Sequence, residues 1–62
     1  MNMKNIPKIK SKWTDGKGSE FQVITVEFVD SKLWVHYTKL GTDNTYNCYV
    51  DAFTDRFTEN LQ

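Results

Sequence analysis

Apolar and polar residues alternate with a period of two through the middle of the chain. "EFQVITVEFV", Glu20 to Val29, is rich in β-branched and aromatic residues and holds no breaker, which predicts a strand. "KLWVHYTK", Lys32 to Lys39, alternates in the same way after Asp30 and Ser31. The two segments read as a hairpin. With Asp30-Ser31 as a two-residue loop, Val29 faces Lys32, Phe28 faces Leu33, Val26 faces Val35 and Ile24 faces Tyr37. Ile24, Val26, Phe28, Leu33, Val35 and Tyr37 then share an inner face, while Thr25, Glu27, Trp34 and His36 share the other. A slip of one residue would mix the two sets, so the pattern selects its own register.

"TYNCYV", Thr45 to Val50, continues the alternation. A loop from Leu40 to Asp43 sets Lys39 opposite Asn44, and then Tyr37 meets Tyr46, Val35 meets Cys48 and Leu33 meets Val50. Tyr49 falls on the outer face, opposite Trp34. Upstream, Trp13 anchors a short strand between Lys10 and Asp15, and "DGKG" (Asp15 to Gly18) forms a turn, because glycine permits positive φ at no steric cost. Downstream of Val50 the period changes. Asp51 is placed to cap a helical turn with its carboxylate. Phe53 and Phe57, four apart, lie on one side of that turn and are expected to cover the open end of the sheet. Strict alternation puts Phe21 and Val23 on the outer face, unless a bulge turns them inward.

These elements predict an all-β, mainly antiparallel fold: a small SH3-like, partly open barrel of four or five strands, closed by a short C-terminal helical turn. Curling buries one face without a second layer. The alternative is a flat three-stranded meander covered by the C-terminal helix. Residues 1–10 read as a flexible basic arm, 11–59 as one small domain and 60–62 as a tail.

Composition narrows the picture. A chain of 62 residues buries only about 60% of its unfolded surface and is marginally stable. Cys48 is the sole cysteine, so no internal disulfide forms, and no Cys/His cluster has metal-ligand spacing. No metal or cofactor is expected. The basic start of the chain lacks the apolar stretch of a signal peptide, and no run approaches the length of a membrane span. With a lone thiol, the expectation is a cytoplasmic protein. The net charge is zero but segregated. Lys4, Lys8, Lys10, Lys12 and Lys17 stand against Asp15 in the first eighteen residues, whereas acids outnumber bases beyond them.

The alternation also nominates a working surface. Trp34 and Tyr49 emerge side by side on the outer face with His36, Glu27 and Asn47, and such aromatics dominate binding hot spots. Two other readings compete. The N-terminal arm or Trp13 could fold back over that face, and cross-strand Trp–Tyr pairing is a stabilising device in itself. Catalysis is not expected. His36 has no nucleophile beside it, because Cys48 points inward. Asp51 and Asp55 are explained by capping and solubility, and "DGKG" lacks the spacing and following helix of a phosphate loop.

Trp13, Gly16 and Gly18, "VHY" (Val35 to Tyr37), "YNC" (Tyr46 to Cys48) and "FTDRFT" (Phe53 to Thr58) occur in an order that resembles a group of short, uncharacterised phage and prophage proteins with an SH3-like look. The resemblance spans about residues 12–58. It implies phage origin and residence in the host cytoplasm, and it carries over no catalytic residue. The stretch after Cys48 departs from it by lacking a proline.

The leading expectation is a small non-enzymatic protein-interaction module, a phage accessory protein that modulates a host factor through Trp34, Tyr49, His36, Glu27 and Asn47. Behind it stands a homodimer formed through the same aromatic face. A third reading is a nucleic-acid-binding barrel, with Lys8, Lys10 and Lys12 on phosphates and Trp34 as the stacking platform.

Overall fold

The computed structural model describes residues 6–60. Residues 1–5 of the expected arm and residues 61–62 of the expected tail lie outside the described range. The elements are β1 (Lys12–Thr14), β2 (Glu20–Val29), β3 (Lys32–Lys39), β4 (Thr45–Tyr49), α1 (Val50–Arg56) and β5 (Thr58–Glu59). The strands form one antiparallel sheet in the order β4-β3-β2-β1-β5. The all-β class and the closing helical turn are as the alternation predicts. The sheet stays open: β4 and β5 are its two edges, and no pairing between them completes a barrel.

The hairpin register holds over the outer half of β2 and β3. Val29 pairs with Lys32, Phe28 with Leu33, Glu27 with Trp34, Val26 with Val35 and Thr25 with His36. Asp30 and Ser31 form the two-residue turn with φ of 52° and 66°. Both lie in the left-handed region that a twisted hairpin demands of its turn residues.

Below Thr25 the register shifts. Val23, not Ile24, opposes Tyr37. Ile24 is the extra residue of a β-bulge, and it is 45% exposed where strict alternation put it in the interior. The physical reason is parity. The sheet needs Phe21 and Val23 inside to meet Trp13 and Tyr37, and one inserted residue reverses the side on which odd positions emerge. Both are buried. The bulge also marks where β2 changes neighbours. Its first half pairs with β1 and β3, and its second half with β3 alone. The β1 side is extended by Ser11, whose carbonyl accepts the Val23 N–H, and by Lys10, whose N–H donates to the Val23 carbonyl.

Two other residues assigned to the interior are exposed. Phe28 lies near the hairpin tip, past the reach of β1, and is 72% exposed. Tyr46 sits on edge strand β4. Its ring leans on Tyr37 at 5.5 Å and on Phe21 at 6.5 Å, while its other side faces water. The expected β3–β4 register is otherwise observed, with Tyr37 opposite Tyr46 and Val35 opposite Cys48.

Val50 does not end the strand opposite Leu33. It opens α1 and stays buried. Asp51 is not the cap: Tyr49 occupies that position in an extended conformation and makes no side-chain cap bond. Asp51 lies instead in the first turn, where a carboxylate favours the positive end of the helix. The helix is too short to persist alone. It is held by Phe53, which is wholly buried against Trp13 (4.9 Å between ring centroids), Tyr37 (5.0 Å) and Phe57 (4.8 Å). Edge-on and tilted contacts of this kind join Trp13, Phe21, Tyr37, Phe53 and Phe57 into one aromatic core, which Val23, Val35 and Val50 complete. After α1 the chain returns to β1, and the Asn60 N–H donates to the Lys12 carbonyl at 2.8 Å.

Trp13 satisfies its indole N–H internally: it donates to Ser11 Oγ at 2.8 Å, and that hydroxyl donates to the Lys8 carbonyl at 2.6 Å. Trp13 is therefore a core anchor and does not cover the outer face. In the following turn, Asp15 Oδ1 accepts the Lys17 N–H at 2.7 Å and the Ser19 N–H at 3.3 Å. The Lys17 bond is the main cause that holds the Asp15 carboxyl below its ordinary value.

Candidate functional site

The bulge decides what the outer face displays. Beyond it, odd positions of β2 point outward, so Thr25 and Glu27 align with His36 and Trp34 of β3 and with Asn47 and Tyr49 of β4. Two rows result. Glu27, Trp34 and Tyr49 form one, and Thr25, His36 and Asn47 the other. All five residues nominated from the sequence, Trp34, Tyr49, His36, Glu27 and Asn47, line one open groove of about 300 Å³.

Three contacts shape this groove. The Trp34 and Tyr49 rings lie 4.2 Å apart between centroids, tilted by 51°. Lys32, at the start of β3, holds its ammonium 5.1 Å from the centre of the Tyr49 ring, within range of a cation–π attraction. Between the two rows, His36 Nε2 and Glu27 Oε1 are 2.8 Å apart. A carboxylate only accepts, so the Nε2 nitrogen carries the proton and donates. This bond orients the imidazole ring across the face. The surface is thus an aromatic pair flanked by a cation on one side and an imidazole–carboxylate pair on the other. Trp34 is half-buried and Tyr49 is 43% exposed.

Lys32 and Val29 join the groove at the hairpin end. The outer position of Val29 follows from the alternation. The placement of Lys32 over Tyr49 is visible only once β4 is paired, because the two residues are on different strands. A second groove, about 460 Å³, opens between the hairpin turn and the start of α1. Ile6, Leu33, Tyr49 and Val50 are among its lining residues, so Tyr49 contributes to both. Ile6 brings the end of the N-terminal arm against the domain, where the neighbouring Pro7 is buried. The described part of the arm leaves the outer aromatic pair uncovered.

The other candidates separate from this site. Lys8, Lys10 and Lys12 are all exposed, but they lie on and before β1. β1 stands three strand spacings from β4, about 14 Å across the sheet. Cys48 points to the inner side, opposite Val35, and packs against the core. Burial pushes its thiol up from the ordinary value, opposed by a hydrogen bond from Tyr37. Cys48 and His36 thus emerge on opposite faces. Among the described residues, no group of three or more His, Cys, Asp or Glu is arranged to hold a metal ion, and no helix is long and apolar enough to cross a membrane.

The chain matches no protein-family model, and neither the curated proteins nor the solved structures contain a significant match to it.

Proposed function

We propose that the protein is a small non-enzymatic interaction module that binds another protein through the outer sheet face centred on Trp34 and Tyr49. The observation that carries this reading is the packed Trp34–Tyr49 pair in a groove flanked by Lys32 and the His36–Glu27 bond. Rigid aromatics on a sheet present large contact area at low entropic cost, and the flanking polar groups give orientation. The resemblance to short phage proteins makes a host factor the natural partner, met in the host cytoplasm.

The nucleic-acid reading ranks below it, because Lys8, Lys10 and Lys12 lie away from the aromatic pair and the net charge is zero. Steep loss of binding with salt would be its signature.

The test is comparative capture from host lysate. Wild-type protein, the Trp34→Ala/Tyr49→Ala double variant and a Phe28→Ala control are immobilised in parallel. A partner retained by wild type and by the control, but lost by the double variant, supports the site. Equal retention by all three removes it.

A further inference from the structure

The two edges of the sheet are built differently. β5 is only two residues long and carries Glu59, which makes it a short, charged edge of the kind that resists pairing. β4 is five residues, "TYNCY", with no charge and no proline. It holds two of the exposed large side chains, Tyr46 on the inner side and Tyr49 on the outer. Among the described residues, no strand pairs with its outer edge.

The register states which backbone groups are free. The Lys39 N–H donates to the Asn44 carbonyl, so hydrogen-bonded pairs recur two residues on, at Tyr37–Tyr46 and Val35–Cys48. Thr45, Asn47 and Tyr49 occupy the alternate positions. Their N–H and C=O groups point away from β3, except that the Tyr49 carbonyl, at the helix cap, accepts the first bond of α1.

We propose that β4 is a homodimerisation edge, at which two copies of the chain pair their β4 strands antiparallel across a two-fold axis centred on Asn47. In this register Asn47 faces Asn47 of the second copy and Thr45 faces Tyr49. Every free group on one edge then meets one on the other, apart from the Thr45 N–H, whose carbonyl partner is used by the helix. The pairing is self-complementary, as a two-fold interface must be. No like charges meet, because β4 has none. Tyr46 lands opposite Cys48 of the second copy, which covers the exposed side of its ring. The two five-stranded sheets become one, and the two Trp34–Tyr49 pairs lie on the same side of it. For a chain of this size, which lacks disulfide staples, this also adds buried surface where a single core is small. The proposal is independent of the outer-face reading, because it uses the strand edge and not the face.

Sedimentation over a concentration series tests it on the full chain. Wild type is expected to show a reversible monomer–dimer equilibrium. Asn47→Pro removes a donor that β3 does not use, which edge strands tolerate. It deletes two hydrogen bonds per dimer and should weaken association roughly thirtyfold. Trp34→Ala should leave association unchanged. A cross-linking arm reads the register directly. Tyr46 and Cys48 of opposite copies form a non-hydrogen-bonded pair with Cα atoms about 4.5 Å apart, inside the disulfide range. Tyr46→Cys should therefore cross-link as a covalent dimer under oxidised glutathione, while wild type, whose two Cys48 residues are offset along the strands, should not. A chain that stays monomeric at all concentrations overturns the proposal and leaves the edge to an extended segment of another protein. A dimer that is indifferent to Asn47→Pro and does not cross-link through Tyr46→Cys also overturns it.

Discussion

Trp34 and Tyr49 pack ring against ring, 4.2 Å between centroids, across a pair of strands whose inner side faces the core. They form a non-hydrogen-bonded pair, the closer of the two antiparallel pair types, which is why the rings touch. This contact separates two roles. As a cross-strand pair it stabilises the β3–β4 hairpin by about 0.5–1.5 kcal/mol beyond area burial. As a surface it remains accessible. Tyr49→Ala should therefore cost about 1 kcal/mol in chemical denaturation, a modest loss that leaves the protein folded.

The two tryptophans should respond differently to solvent. Trp13 is buried, with its N–H satisfied by Ser11, while Trp34 is half-buried at the outer groove. In Trp13→Phe the remaining indole should be open to acrylamide. In Trp34→Phe it should be shielded. Equal quenching in the two variants would show that the outer face is covered in solution.

The bulge predicts a contrast between neighbours in sequence. Val23 is buried to 1% exposure, whereas Ile24 stands outside the register. Val23→Ala should cost about 2 kcal/mol through lost burial and the cavity left behind. Ile24→Thr should change stability by less than about 0.5 kcal/mol, as surface substitutions do. Urea denaturation of the two variants checks it, and a reversed order would refute the bulge.

The hairpin turn is open to improvement. Ser31 holds a φ of 66°, a conformation that costs a residue with a Cβ roughly 1 kcal/mol and glycine nearly nothing. Ser31→Gly completes the Asp-Gly sequence that such turns favour. Part of the gain is offset by the greater freedom of glycine in the unfolded chain. A net stabilisation of about 0.5 kcal/mol, seen as a higher melting temperature, is the expected result.

Much of this fold is legible along the chain because period-two alternation fixes the β3–β4 register and the β2–β3 register from the hairpin turn to Thr25. The pairs Glu27–Trp34, Trp34–Tyr49 and Val35–Cys48 follow from counting, and with them the whole outer cluster. Ile24 was not legible. Alternation is a local rule, and the bulge answers a non-local demand, the need of Trp13 and Tyr37 for Phe21 and Val23. Phe28 and Tyr46 follow the inward parity but stay exposed, because parity gives direction and not cover. Cover depends on how far β1 and α1 reach. Strand β5 was missed for a related reason: two residues carry no periodicity, and only the position of Phe57 on the core brings Thr58 and Glu59 to β1.

Alkaline pH should destabilise the protein from the inner side of β3 and β4. Burial is the first cause that raises the Cys48 thiol above its ordinary value of 9.0 and the Tyr37 phenol above 10.0. The two groups also contact each other: Cys48 raises the Tyr37 phenol further, while the hydrogen bond from Tyr37 offsets part of the rise at Cys48. The folded state therefore holds these protons more tightly than the unfolded state. Stability is unaffected below about pH 9 and declines as pH rises through 9 and 10 toward the raised folded values. Melting temperatures should be flat from pH 7 to about 9 and fall above that, and Cys48→Ala should delay the onset, because only the phenol then remains to titrate. The same burial should make the thiol alkylate more slowly with iodoacetamide at pH 8 in the native protein than in urea. Equal rates in the two conditions would place Cys48 in solvent and remove the cause of the alkaline decline.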